Sequence, residues 1–488
     1  MQLSPPQNQF AKWKGNLKPC WTVLDIPKKD STEFLFKLFD QFQEENAVFL
    51  CSGKTGRYSF FAKKPFATFE YKNQKSYLNS ELKTGKPLEI LRALLQKFKS
   101  PKVKDLPHFY SGAIGFFGYE TFALFEDIPK AKKNDLKTPE IYLNFYDEVI
   151  IFDHLKSKLY LVGSAGEYEE AKRKVEEMFK QIKTPFRGQG GVHPKAEAQN
   201  PPNPLSSTAD RYQGGFKSNF ASNFTPEKYS EAIEKVKKYL IAGDTFQVNL
   251  SQRLEAELTL SPAEIFQTLW KINPSPFSAY FNGRDFQIVS CSPERLIRKN
   301  GNELFTQPIA GTRKRGKTAK EDLELEKEFK NSAKEMAEHT MLVDLLRNDL
   351  GKVSAFGSVQ TKQFAHIEKY SHVQHLVSNI YGKIKPEYDF IDVFKAVFPG
   401  GTITGAPKIR TMEIISELEP TQRGPYTGAL GYLGFNGNFD LNILIRTIVC
   451  ANKKMYIQVG GGIVMDSIAE KEYQETLHKA EAMLEAIS

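Results

Sequence analysis

Strand-like and helix-like segments follow one another along this chain with no βαβ rhythm, and that one feature removes most α/β folds. Short apolar runs in the first half, NAVFLCS, YSFFA, FATFEY, EVIIFD and KLYLVG, have the composition of strands. TFQVNLSQRLEAEL, FSAYF, FQIVSCS and ELFTQPI repeat the pattern in the second half. Amphipathic stretches at 31–45, 166–182, 226–243 and 319–349 predict helices, the third closed by Gly243. LNILIRTIVC and KMYIQVGGG form a final strand pair, followed by a helix from 468 to 487. Strands that do not alternate with helices lack the crossovers a doubly wound parallel sheet needs. The expectation is a large antiparallel α+β fold.

Composition divides the chain once clearly. Residues 186–224 are rich in Gly, Pro, Ser and Asn and lack apolar periodicity, as a surface linker or insertion would. They separate a β-rich region, 1–185, from a second region, 225–488. A weaker break is the charged loop PKAKKNDLKTPE at 129–140.

The net charge of +9 comes from 67 Lys and Arg against 58 Asp and Glu, scattered through mixed stretches. A spread excess of this kind serves solubility, and no nucleic-acid-binding pattern accompanies it. No apolar run reaches the roughly 18–20 residues of a membrane span. The N-terminal MQLSPPQNQFAKWKG lacks a secretory pattern. Cys20, Cys51, Cys291 and Cys450 lie far apart, which argues against zinc ribbons and disulfide scaffolds and fits a reducing cytoplasm.

Two ExxE segments stand out, Glu335-Met336-Ala337-Glu338 and Glu472-Tyr473-Gln474-Glu475, each within a predicted helix. The i,i+3 spacing puts both carboxylates of a segment on one helix face. If the two faces meet, four carboxylates repel unless a cation sits between them. Hard oxygen donors without His or Cys favour Mg²⁺. Each segment taken alone also reads as an ordinary solvated face. Gly460-Gly461-Gly462 follows a predicted strand and reads either as an anion-binding run of amides or as a tight strand-to-helix turn. FPGGTITGAPKIRTMEIISELEP feeds a Gly-rich turn into Pro407 at a helix start, but without GK[ST] it is not a nucleotide-binding P-loop. Arg446 in LIRTIV reads as an Arg in an apolar strand, serving either a salt bridge or an anion. His375, Tyr426 and Lys479 are further single candidates. No GxSxG elbow and no Gly-flanked Cys nucleophile is present.

Taken in order, FQVNLSQR, NPSPFSAY, SPERL, QPIAGTRKRG, EHTMLVDLLRNDLGKV, VQHLVS, FPGGTITGAPKIRTMEIISELEP, GGGIVMDS and EYQETLHKA resemble the chorismate-utilising enzymes. That family includes component I of anthranilate synthase and of aminodeoxychorismate synthase, isochorismate synthase and salicylate synthase. The resemblance is dense over 226–488 and reaches the first half through GRYSFF and YSGAIGFFGYE. It implies a two-sheet antiparallel β-sandwich with surrounding helices that binds chorismate with Mg²⁺. By motif position it makes Glu338 and Glu475 direct Mg²⁺ ligands, with Glu335 and Glu472 acting through water. Tyr426, Arg446, Thr404, Lys479 and the Gly460, Gly461 and Gly462 amides become substrate contacts. Glu294 of SPERL becomes the general acid for the departing C4 hydroxyl, and His375 an acid/base or orienting residue.

Gln247 in FQVNL then separates branches. Water-using members resemble one another in carrying Lys there, and a Gln amide cannot act as that base. An aminating member is expected, fed with ammonia by a separate glutamine amidotransferase subunit. FPGG, PFSAY and EYQET are similar to aminodeoxychorismate synthase. The Phe49-Leu50-Cys51-Ser52 segment lacks the carboxylate of the Leu-Leu-Glu-Ser in tryptophan-regulated anthranilate synthases. Against this, Ala310 in PIAGT replaces the Lys of well-known aminodeoxychorismate synthases, as anthranilate synthases do. Anthranilate synthase component I is therefore the alternative.

Overall fold

Apolar and β-branched runs too short for helices pair here across long stretches of sequence. The computed structural model describes residues 2–27, 31–52, 56–131, 133–183, 220–316, 318–369 and 373–487. Its strands form two twelve-stranded sheets. Every ladder between them is antiparallel, as the missing βαβ rhythm predicts. Both sheets mix the early and late parts of the chain. Val48–Cys51 pairs with Phe277–Asn282 in the first sheet, and Gly112–Phe117 pairs with Ala429–Gly434 in the second.

The sheets stack face to face. Ile288 and Val449 of the first pack with Ile114, Phe116 and Leu430 of the second. Helices Ser31–Phe39, Tyr168–Lys183, Pro262–Ile272 and Ala469–Ala486 cover the outer face of the first sheet. Helices Pro87–Lys97, Ala333–Val353 and Phe390–Val397 cover that of the second. Burying one such Phe or Leu contributes roughly 1.5–3 kcal/mol, so these layers fix where the outer helices sit. No described helix is long and apolar enough to cross a membrane.

Four local expectations need correction. The 319–349 pattern is two helices, Ala319–Asn331 and Ala333–Val353, because Ser332 accepts a hydrogen bond from the Glu335 amide and starts a new helix. Gly460-Gly461-Gly462 is not a turn but lies inside the strand Lys454–Ile463, paired with Ser251, Leu250 and Asn249. Arg446 is not in a strand. Phe439–Ile443 belongs to the second sheet and Thr447–Ala451 to the first, and Arg446 adopts a left-handed φ of 52° in the link that crosses between them. The helix expected over 31–45 ends at Phe39.

Most of the 186–224 segment lies outside the described residues. Its last five residues are structured: Ala221–Ser222 pairs with the strand Gln247–Glu257, and Phe224 is buried.

Candidate active site

The two ExxE segments lie on helices that face each other across the end of the first sheet. Glu335 and Glu338 sit in the first two turns of Ala333–Val353, and Glu472 and Glu475 near the start of Ala469–Ala486. Burial, then repulsion from Glu338, raises the Glu335 carboxyl, with Glu475 of the opposite helix adding to it. Burial, then Glu475, raises Glu472, opposed by a Ser467 hydrogen bond, Lys479 and Lys334. Each helix thus feels charges of the other.

The glycine strand runs against this acidic group. A Cβ on Gly461 would stand 3.5 Å from Glu472 Oε2 and 3.8 Å from Glu475 Oε1. On Gly462 it would collide with the Gln247 amide, so a side chain there would displace that amide from its present place. Gln247 Nε2 donates to Glu338 Oε1 at 3.0 Å. Lys479 Nζ lies 2.8 Å from Glu475 Oε1 and donates to the Gly460 carbonyl at 3.0 Å. Among the described residues no three His, Cys, Asp or Glu side chains are grouped closely enough to hold a metal ion as they stand. The donors nevertheless fit a hard, partly hydrated divalent cation: they are all carboxylates, and two of them are raised partly by mutual repulsion.

A cation lies near His375. The Arg446 guanidinium makes no hydrogen bond or ion pair among the described residues, and burial alone lowers its pKa. Its position follows from the strands. The register pairing Ile448 with Ile457 stops at the start of Thr447–Ala451, so residues beyond Gln458 keep an edge unpaired on the side where Arg446 crosses. His375, on the strand Val373–Lys383, is pushed below its ordinary value, first by burial, with Arg446 adding to the effect. Its Nδ1 donates to the Gly311 carbonyl at 3.2 Å, which makes Nε2 the basic nitrogen of the neutral ring. Gly311 has a φ of 60° and passes so close to the Glu335 carboxylate that a side chain could not fit.

Glu294 is 6% exposed, and burial raises its carboxyl to about 7, with the nearby Thr402 opposing the rise. Thr404 is fully buried, its hydroxyl donating to Gly400 and its carbonyl accepting from the Asn249 amide at 2.8 Å. Tyr426 is buried beside Arg423, and burial pushes its phenol far above the ordinary range.

Three buried charges beside these residues were not singled out as site candidates, although Glu120 and Glu419 lie in the quoted YSGAIGFFGYE and FPGGTITGAPKIRTMEIISELEP segments: Glu120, Glu419 and Arg423. Glu419 and Arg423 are four apart, a spacing that by itself does not mark burial. Only Glu120, closing the apolar run of GAIGFFGYE, hinted at burial. A cavity of about 660 Å³ lies away from the four carboxylates, between the sheets, and is lined by Leu50, Cys51, Ser52, Tyr58, Phe277 and Arg298 among others. Cys51 of the FLCS segment therefore forms part of its wall.

Residues 46–485 match the family model for the chorismate binding enzyme. The chain belongs to this family. Aminodeoxychorismate synthase component 1 of Bacillus subtilis (strain 168) is 41% identical over 466 residues, covering 94% of this chain and 95% of that protein. Anthranilate synthase component 1 of Acetivibrio thermocellus is 42% identical over 461 residues, 92% of each. The crystal structure of anthranilate synthase component I from Streptococcus pneumoniae TIGR4 has a TM-score of 0.75 at 35% identity, covering 89% of this chain and 93% of that one. The chorismate-binding fold agrees with the two antiparallel sheets, and the chain is a chorismate-utilising enzyme.

Proposed function

We propose that this chain is component I of an aminodeoxychorismate synthase, which aminates chorismate with ammonia to 4-amino-4-deoxychorismate for 4-aminobenzoate and folate synthesis. The observation that carries the amination is Gln247. It holds the position where water-using relatives carry a base, and its amide is engaged with Glu338 at 3.0 Å. An amide cannot deprotonate water at neutral pH, whereas ammonia attacks as the free base.

The other residues divide the work. Arg446, a partly buried cation without a partner, receives the enolpyruvyl carboxylate together with Tyr426, Thr404 and the Gly460–Gly462 edge. Glu338 and Glu475 would hold Mg²⁺ directly, and Glu335 and Glu472 through water; bound there, it supplies the positive charge that grips the ring carboxylate. Lys479 neutralises Glu475 on the same side. Glu294, raised to about 7, remains protonated in about half of the molecules at neutral pH and delivers that proton to the departing C4 hydroxyl. His375 stays neutral and orients the ring.

Ammonia comes from a separate glutamine amidotransferase subunit. The four cysteines are buried, and burial pushes Cys20 up to about 11 and Cys291 and Cys450 up to about 12, far from the thiolate a glutaminase needs.

A second reading rests on Ala310. It is buried on the strand Ile309–Lys314, beside His375's strand, and its methyl group cannot attack C2. This favours anthranilate synthase component I, in which ammonia adds at C2 and pyruvate leaves. Incubation with chorismate, Mg²⁺ and ammonium decides between them. A non-fluorescent product that a separate lyase turns into 4-aminobenzoate supports the proposal, and fluorescent anthranilate formed without lyase rejects it.

A further inference from the structure

The strand Gln247–Glu257 forms one wall of the site and pairs along one edge with the glycine strand. Its other edge is incomplete. Gly405–Ala406 pairs with it at Gln247 and Val248, and Ala221–Ser222 at Leu254 and Glu255, leaving a gap at 249–253. Unpaired backbone groups in a buried strand must find other partners. The Asn249 amide donates to the Thr404 carbonyl and Arg253 pairs with Asn223, and between them a buried ion pair serves the Ser251 amide and the Asn249 carbonyl. Glu419 Oε1 accepts from the Ser251 amide at 2.9 Å and the Ser251 hydroxyl at 2.8 Å. Arg423 donates through Nη2 to the Asn249 carbonyl at 2.6 Å.

Ser251 and Asn249 are the ladder partners of Gly460 and Gly462, so the pair grips the strand directly behind the glycine edge. The same guanidinium reaches two other parts of the site. Nη1 donates to the Ile403 carbonyl at 3.1 Å, next to Thr404, and to the Thr427 hydroxyl at 3.2 Å. Thr427, at a φ of 59°, passes its own proton to the Tyr426 carbonyl at 2.6 Å. Two further bonds, from Nε and Nη2 to Glu419 at 2.9 and 2.7 Å, complete the set. Five donors therefore meet acceptors, the full capacity of a guanidinium and more than a lysine could satisfy. Glu120, from the first half of the chain, fixes the turn itself by accepting from the Arg423 and Gly424 amides at 2.7 and 2.9 Å.

We infer that Arg423, paired with Glu419 and seated by Glu120, is a positioning residue that sets the relative placement of Thr404, Tyr426 and the Gly460–Gly462 edge, and through them the binding of the substrate's carboxylate-bearing side chain. It touches no reacting atom. The inference rests on chorismate being the substrate but not on which aminated product forms, so the assay follows chorismate consumption and direct chorismate binding.

The test uses the full chain and the Thr427 link, the mildest point of the network. Thr427→Ala removes the hydroxyl that relays Arg423 to Tyr426, whereas Thr427→Ser keeps it. Thr427→Ala should raise KM and the chorismate dissociation constant about tenfold, the worth of one buried hydrogen bond, with kcat within about twofold. Thr427→Ser should restore both. Arg423→Lys, if folded, should raise KM further. Equal KM for Thr427→Ala and wild type overturns the inference. So does a matched loss by Thr427→Ala and Thr427→Ser, because the methyl and not the relay would then matter. A chain that does not consume chorismate but binds it with this same pattern upholds the positioning role while rejecting the proposed reaction.

Discussion

Replacing Glu294 by Gln should separate stability from turnover. The carboxyl is 6% exposed, and burial raises it from an ordinary 4.5 to about 7. A folded value above the unfolded one means that the folded state binds the proton more tightly. Glu294 therefore costs nothing below pH 4.5, becomes destabilising as pH rises from 4.5 to 7, and exerts its whole effect above 7. That interval corresponds to about 3 kcal/mol. Glutamine matches the shape and never ionises. Glu294→Gln should thus be near neutral at pH 5 and more stable than wild type by up to about 3 kcal/mol at pH 8.5, measured by urea unfolding at both pH values. The same variant loses the acid for the leaving hydroxyl and should fall about 10²–10⁴-fold in kcat. In the wild type, kcat should decline above pH 7 as the proton is lost. A stability difference that is the same at pH 5 and 8.5, or a variant that keeps its turnover, would refute the reasoning.

Other outcomes follow from the same geometry. Glu338→Gln should abolish turnover and its Mg²⁺ dependence while leaving the circular dichroism spectrum unchanged; an unaltered Mg²⁺ profile would remove Glu338 from the ligand set. Arg446→Gln should raise KM for chorismate by roughly 10–100-fold, the worth of a charge-assisted contact, and should not destabilise the free chain in thermal unfolding, because its guanidinium has no protein partner to lose. Gln247→Lys should permit some addition of water, read as a hydroxylated product by liquid chromatography in the absence of ammonium; no such product would weaken the argument from Gln247.

The antiparallel fold was legible because strand-like runs occurred without crossover helices between them. The ExxE faces were legible because i,i+3 spacing on a helix is geometry that sequence carries. What escaped depended on partners far away in the chain. Ser332 breaks one helical pattern into two because a hydroxyl captures the Glu335 amide, which composition averaged over a long window hides. Arg446 looked like a strand residue because its neighbours are apolar in both sheets, and only the crossing between sheets gives it a left-handed backbone. The glycine run looked like a turn, yet its lack of side chains makes room for the Gln247 amide from the neighbouring strand. Nothing in the sequence singles out Glu419 and Arg423, because their role depends on a strand, 247–257, whose second edge is incomplete at its centre.

Isotopic labelling tests the central claim most directly. Chorismate incubated with the purified chain, Mg²⁺ and ¹⁵N-ammonium should yield a product that retains its enolpyruvyl group and carries ¹⁵N bonded to C4 by NMR. Nitrogen at C2 with release of pyruvate, or oxygen from ¹⁸O-water in place of nitrogen, would contradict it.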